Sequence, residues 1–330
     1  MSSRSRIRCG LAAALPALVG MLMQPSAAAS TEPPPSPRSS VSVTGRPYGV
    51  AISPDGGHAY VTSGWLGRLL VFDTHTKQRT SHVQTGESQD VAVSPDGRRA
   101  YVTSPSTVFP MVSVIDTATN REVGHVPVGH GPFGLAVAPD GRRVYVANAY
   151  SDSLSVIDTA SGKVVDEIKV GSDPVDVVVS PDGRRVYVAN SGYGTPTSVS
   201  VIDTTTDKVV GRPGRLGNFT YGLAVTPDGR RLYVTDLMGT VSVVDTTTGK
   251  TTGGPVPVGS HPKDVVVSPD GHRAYVTNEY SDSLSVIDTS TNKVTDTVRV
   301  GGPTRIALTP DGRHAWITQS CCGSVSVIDF

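Results

Sequence analysis

Beyond residue 40 the chain is a succession of short apolar runs whose side chains alternate with a period of two, each stopped by a polar turn. The stretch from 175 to 203 shows one unit: "VDVVVS", the turn "PDGRR", "VYVAN", a variable loop and "SVSVID". Val, Ile, Thr and Tyr dominate these runs, the composition and period of β-strands. No later stretch carries the 3.6-residue period of an amphipathic helix. In the turns, proline presets φ at the second position, aspartate tolerates the third, and glycine takes the left-handed position that leads into the partner strand.

The Pro-Asp-Gly tripeptide also sets the period. Its glycine falls at Gly56, Gly97, Gly141, Gly183, Gly229, Gly271 and Gly312, with spacings of 41, 44, 42, 46, 42 and 41. Each of the first six units closes with a polar loop and a short fourth run such as "VVDEIKVG", giving four strands per unit. Four strands in roughly 42 residues is the dimension of a propeller blade. The string "YSDSLSVIDT" at 150–159 recurs unchanged at 280–289, three units on. It places equal aromatics, Tyr150 and Tyr280, on separated loops, and recent duplication alone also accounts for it.

The chain stops after the third run of unit seven, at "SVSVIDF", while "SVSVTGRPYGVAIS" (40–53) aligns with the fourth-to-first-strand stretch "EIKVGSDPVDVVVS" (167–180). The expected fold is therefore all-β: a seven-bladed β-propeller of four-stranded antiparallel blades, closed three strands plus one by the N-terminal strand. Closure of this kind leaves no unpaired seam.

At "SPDGRRVYVAN" (180–190) and "SVSVIDT" (198–204) the chain resembles the YVTN family of β-propeller repeat proteins, and the resemblance extends over residues 40–330. It implies an exported or surface-layer-type seven-bladed propeller. Some members of that family resemble a DNA-binding periplasmic propeller, and related seven-bladed folds carry lactonase or lyase activity. Fold alone does not choose among these functions.

Arg4, Arg6 and Arg8, then the apolar "GLAAALPALVGMLM" and the small residues of "PSAAAS", read as a secretory signal peptide over 1–29, cleaved near Ala29. The apolar run falls short of the ~20 residues a membrane span needs. Residues 30–39, rich in Pro and Ser, read as a linker and 40–330 as one propeller domain. A secreted, extracytoplasmic monomer is expected. Loss of the signal leaves 26 Lys and Arg against 29 Asp and Glu, a charge of −3 with no basic bias toward nucleic acid.

Propeller topology puts the Pro-Asp-Gly turns on one face. Arginine pairs such as Arg98 and Arg99, Arg142 and Arg143, Arg184 and Arg185, and Arg230 and Arg231 repeat there. They read as solvated turn charge offset by the turn aspartates, with a cell-envelope polyanion as the alternative partner. The "VIDT" aspartates read as turn caps, and the column Tyr60, Tyr101, Tyr145, Tyr187, Tyr233, Tyr275 and Trp316 reads as inter-blade packing.

Residues that differ between blades fall on the other face. Ahead of the seven first strands stand Tyr48-Gly49, Gln89-Asp90, Phe133-Gly134, Val175-Asp176, Tyr221-Gly222, Lys263-Asp264 and Thr304-Arg305, expected to ring the mouth of the central channel. Loops between second and third strands add Trp65, Tyr150, Tyr193, Met238 and Tyr280. The expected ligand site is Tyr48, Trp65, Asp90, Phe133, Tyr150, Asp176, Tyr193, Tyr221, Asp264, Tyr280 and Arg305, taking a small molecule, glycan or peptide.

Catalytic signals are sparse. The eight histidines form no recognisable triad, so an enzyme reading of the lactonase or lyase kind rests on Asp90, Asp176 and Asp264. These carboxylates suit a calcium ion, or equally hydrogen bonds that hold their loops. Cys321 and Cys322, adjacent in a rim loop of an exported chain, bond to each other, stay free or bridge two chains; a vicinal disulfide is the expectation.

Overall fold

A computed structural model describes residues 37–192, 197–213 and 216–330. Among them the chain forms seven four-stranded antiparallel sheets, six built from four strands consecutive in sequence and the seventh from the last three strands and the first. The expected signal peptide, most of the expected linker and Tyr193 lie outside the described residues.

Burial grades outward across each blade. In blade 4 the second strand, Arg185–Asn190, is buried at every position after the first. In blade 3 the fourth strand, Lys163–Lys169, buries one residue of seven. Second strands therefore read as continuous apolar runs and fourth strands as half-polar ones. First strands contact the first strands of both neighbouring blades and so line the channel.

The aromatic column packs blade to blade. Tyr145 of blade 3 lies in one cluster with Val177, Val186 and Val188 of blade 4. Trp316 of blade 7 packs on Val50, Val61 and Phe72 of blade 1, with ring centroids of Phe72 and Trp316 5.8 Å apart. Burying such a ring contributes about 1.5–3 kcal/mol. Buried threonines add a polar tie: Thr62 donates to Gln89 O at 3.0 Å, Thr103 to Phe133 O at 2.8 Å and Thr318 to Tyr48 O at 2.6 Å, each reaching the next blade.

Closure is three plus one. The strand Pro37–Ser42 pairs with Ser324–Asp329, with Ser40 opposite Ser326 and Val41 opposite Val325. It begins three residues ahead of the expected residue 40, because the partner strand runs on to Asp329 and offers ladder positions as far as Pro37, at the strand's open end. Ser320 Oγ, donating to Pro47 O at 2.6 Å, also joins the two ends of the chain. No helix among the described residues is long and apolar enough to cross a membrane.

Candidate functional site

In six of the seven blades the mouth position is set by a bulge. In blade 1, Pro47 faces Ser63 but Val50 faces Val61, so one extra residue is accommodated between them. Blades 3 to 7 repeat this shift at the same place. A bulge re-aims side chains, and here it presents two consecutive residues per blade to the channel.

The glycines and aspartates of the mouth fit one another. A Cβ on Gly49 would stand 2.7 Å from Asp90 Oδ1 and 2.8 Å from its Cα. On Gly134 it would stand 2.9 Å from Asp176 Cα, and on Gly222 2.8 Å from Asp264 Cα. The glycine of each odd blade thus leaves the space that the next blade's aspartate fills. Those aspartates cap backbone amides: Val91 N donates to Asp90 at 2.9 Å, Leu223 N to Asp176 at 2.9 Å and Ile306 N to Asp264 at 3.0 Å.

Two residue types cannot alternate around seven positions, and the odd position holds Arg305. Its guanidinium lies 3.7 Å from Asp90, 3.3 Å from Asp176 and 3.4 Å from Asp264, with 7% of its side chain exposed. The cation that the three carboxylates hold in the fold is therefore the chain's own. Above it, the hydroxyls of Tyr48 and Tyr221 meet at 2.6 Å, Phe133 packs edge-on to Tyr48, and Lys263 Nζ lies 4.3 Å from the Tyr221 ring centre. Tyr48, Asp90, Phe133, Asp176, Tyr221, Asp264 and Arg305, expected around an open mouth, come together as a filled throat in which Tyr221, Arg305 and the three aspartates are buried.

Burial dominates the acids and raises all three, against the pull of Arg305; Asp176, pressed also by Asp264 and Asp90, reaches about 7. Burial opposes the charge of Arg305, but the carboxylates outweigh it and hold its pKa well above the ordinary value. The cluster thus carries one fixed positive charge and a titrating set of carboxyls. Burial lowers Lys263 and raises Tyr48 and Tyr221.

Around this throat the rim is open. Trp65, Tyr150, Met238 and Tyr280 are exposed, as are Val108 and Phe109 in the corresponding loop of blade 2. Val108 and Phe109 belong with the other rim residues, a placement legible from their loop position. His261, stacked flat on Tyr280, and Glu279, 3.6 Å from His261 and 3.7 Å from Lys263, link rim to throat. Cys321 and Cys322 are exposed free thiols in the blade 7 loop with sulfurs 3.0 Å apart. Their mutual hydrogen bond pushes the Cys321 thiol up to about 11.

The opposite face is uniform. The "VIDT" aspartates cap their turns; Asp73, for example, accepts from His75 N at 3.0 Å and Thr76 N at 2.7 Å. Arg99 pairs with Asp116, Arg143 with Asp207 and Arg185 with Asp203, which offsets part of the basic crown. Clefts of about 510 and 650 Å³ lie between neighbouring turns there, lined by Pro54, Asp55 and Arg98 or by Pro139, Asp140 and Arg142. Because the same turn residues form both clefts, they follow from the repeat.

A family profile described as YNCE-like beta-propeller matches residues 77–185 and 100–212. A search of curated proteins finds no match. Among solved structures, Kuenenia stuttgartiensis Hydrazine Synthase is similar, with a TM-score of 0.80 and 22% identity over 89% of this chain and 97% of that one. At that identity the likeness shows the fold, a β-propeller similar to the YNCE-like group.

Proposed function

We propose that this chain is an exported binding propeller that engages a cell-envelope or extracellular ligand through the rim of its variable face. The observation that carries this reading is the contrast between faces. One is built from near-identical polar turns, while the other exposes Trp65, Phe109, Tyr150, Met238 and Tyr280, one per loop, outside the hydrophobic core. Exposed aromatics gain nothing from a turn's polar requirements, and they are the side chains that binding surfaces use. The arginine-led apolar N-terminus supports export. The filled throat supports a ligand site on the rim above it rather than in the channel, and engagement of the mouth carboxylates by Arg305 and backbone amides supports binding over turnover.

Co-sedimentation of the full chain with envelopes of the producing cells tests this. Replacing Trp65, Tyr150 and Tyr280 by alanine should abolish association, whereas Arg98, Arg142 and Arg184 replaced by serine should leave it intact. The reverse pattern would move the function to the basic turn face and a polyanion.

A further inference from the structure

Two rim loops are copies in geometry as well as in sequence. In blade 3 the 3₁₀ turn Ala149–Ser151 is tied to the preceding loop by Ala149 N to Gly131 O at 2.8 Å and Tyr150 N to His130 O at 3.1 Å. In blade 6 the turn Glu279–Ser281 makes the same pair, Glu279 N to His261 O at 3.1 Å and Tyr280 N to Ser260 O at 3.2 Å. A serine hydroxyl accepts from that loop in both: Ser151 from His130 N at 2.8 Å, Ser281 from Ser260 N at 2.6 Å. The backbone under each tyrosine is therefore fixed.

The rings are fixed too. Tyr280 lies on His261 with centroids 4.1 Å apart and planes 7° from parallel. Tyr150 lies against Gly131, where a Cβ would stand 2.7 Å from Cδ2 and 2.9 Å from Cγ of the ring. One face of each ring is backed by its own blade, yet the residues remain 74% and 71% exposed. The structural tyrosines of the same blades, Tyr145 and Tyr275, are 1% and 2% exposed. Tyr150 and Tyr280 thus present flat, preorganised faces to solvent, which lowers the ordering cost of binding.

The surroundings narrow the occupant. A protein interface sets its aromatic anchors inside a contiguous desolvated core, whereas these two rings stand three blades apart around the rim. Charges of both signs flank them: Lys169 Nζ donates to Ser151 O at 2.8 Å, and Glu279 lies beside Lys263 and His261. Equal receptors set apart on one surface match a ligand that presents the same unit repeatedly. We propose that Tyr150 and Tyr280 are two equivalent stacking platforms for the sugar rings of a repeating, uncharged polysaccharide, with Trp65 at the same loop position in blade 1. Pyranose C–H faces cover the free ring faces, and hydroxyls meet the flanking polar groups. This assignment rests on the rim-binding reading and deepens it.

The test is depletion of the full chain from solution by cellulose, chitin and an insoluble β-1,3-glucan. At least one polymer should retain it. Tyr150→Ala and Tyr280→Ala should each weaken retention about 10-fold and the double variant at least about 100-fold, as expected when two sites act together. The double Tyr→Phe variant should bind like the wild type, and all variants should melt alike, since the rings hold no core. Retention on none of the polymers, or undiminished retention of the double alanine variant, overturns the assignment. Ring-dependent retention on an immobilised proline decamer instead of the polymers overturns the sugar class. If envelope association still depends on the rim in either case, the binding reading stands without the sugar.

Discussion

Arg305 is the residue on which the throat depends. Three carboxylates converge on it, and its Nε and Nη2 have no hydrogen-bond partner while buried. Removing one partner of a buried ion cluster leaves uncompensated charge and costs about 3–5 kcal/mol. Arg305→Met should therefore lower unfolding free energy by about that amount at pH 8, measured by urea titration, and by less at pH 5, where the carboxyls take up protons. Equal loss at both pH values would mean that packing, not charge, sets the effect. At the rim, Cys321 and Cys322 need only approach from 3.0 Å to the roughly 2.05 Å of a disulfide. Unreduced mass spectrometry of the chain purified without reductant should show it two hydrogens lighter than the dithiol, and two alkylatable thiols would contradict the expectation.

At the scale of elements, the closing strand does the most. Pro37–Ser42 covers the open edge of blade 7, and without it the Ser324–Asp329 strand is an unpaired template for aggregation. Deleting residues 1–42 should lower the melting temperature and cause concentration-dependent aggregation in light scattering, against a control lacking only residues 1–36; equal melting would contradict the closure. This element was legible from the sequence, since "SVSV" at 40–43 repeats a fourth strand and the C-terminus lacks one. So were the aromatic column and the glycine-aspartate alternation, because repetition exposes any position a blade requires. The filling of the throat was not legible. Gly49 and Asp90 lie on different blades, and their fit depends on a bulge and on the angle between sheets, neither of which leaves a local signature. Arg305 stood out as the break in the alternation, but only packing shows that it turns inward among the carboxylates.

For the whole molecule, stability should respond to pH in two directions. The throat acids titrate higher in the fold than in the unfolded chain, Asp176 at about 7, so their stabilising protons are fully held below the unfolded value and lost as pH rises through 7. The turn aspartates run the other way: their hydrogen bonds lower them, Asp288 to about 2, so their contribution holds above the unfolded value and is lost as pH falls through 2. Melting temperature should peak near pH 4–5 and fall toward pH 8, and Asp176→Asn should flatten that fall; a steady rise from pH 5 to 8 would contradict the throat electrostatics. Ring closure and throat together leave the exposed aromatics on one rim, the proposed binding surface. Hydroxyl-radical footprinting tests that claim most directly, because it labels exposed tryptophan, tyrosine and methionine side chains. With envelopes of the producing cells added to the full chain, Trp65, Tyr150, Met238 and Tyr280 should become protected while His58 and His75 on the turn face stay as reactive as before; protection confined to the turn face, or none at the rim, would contradict the account.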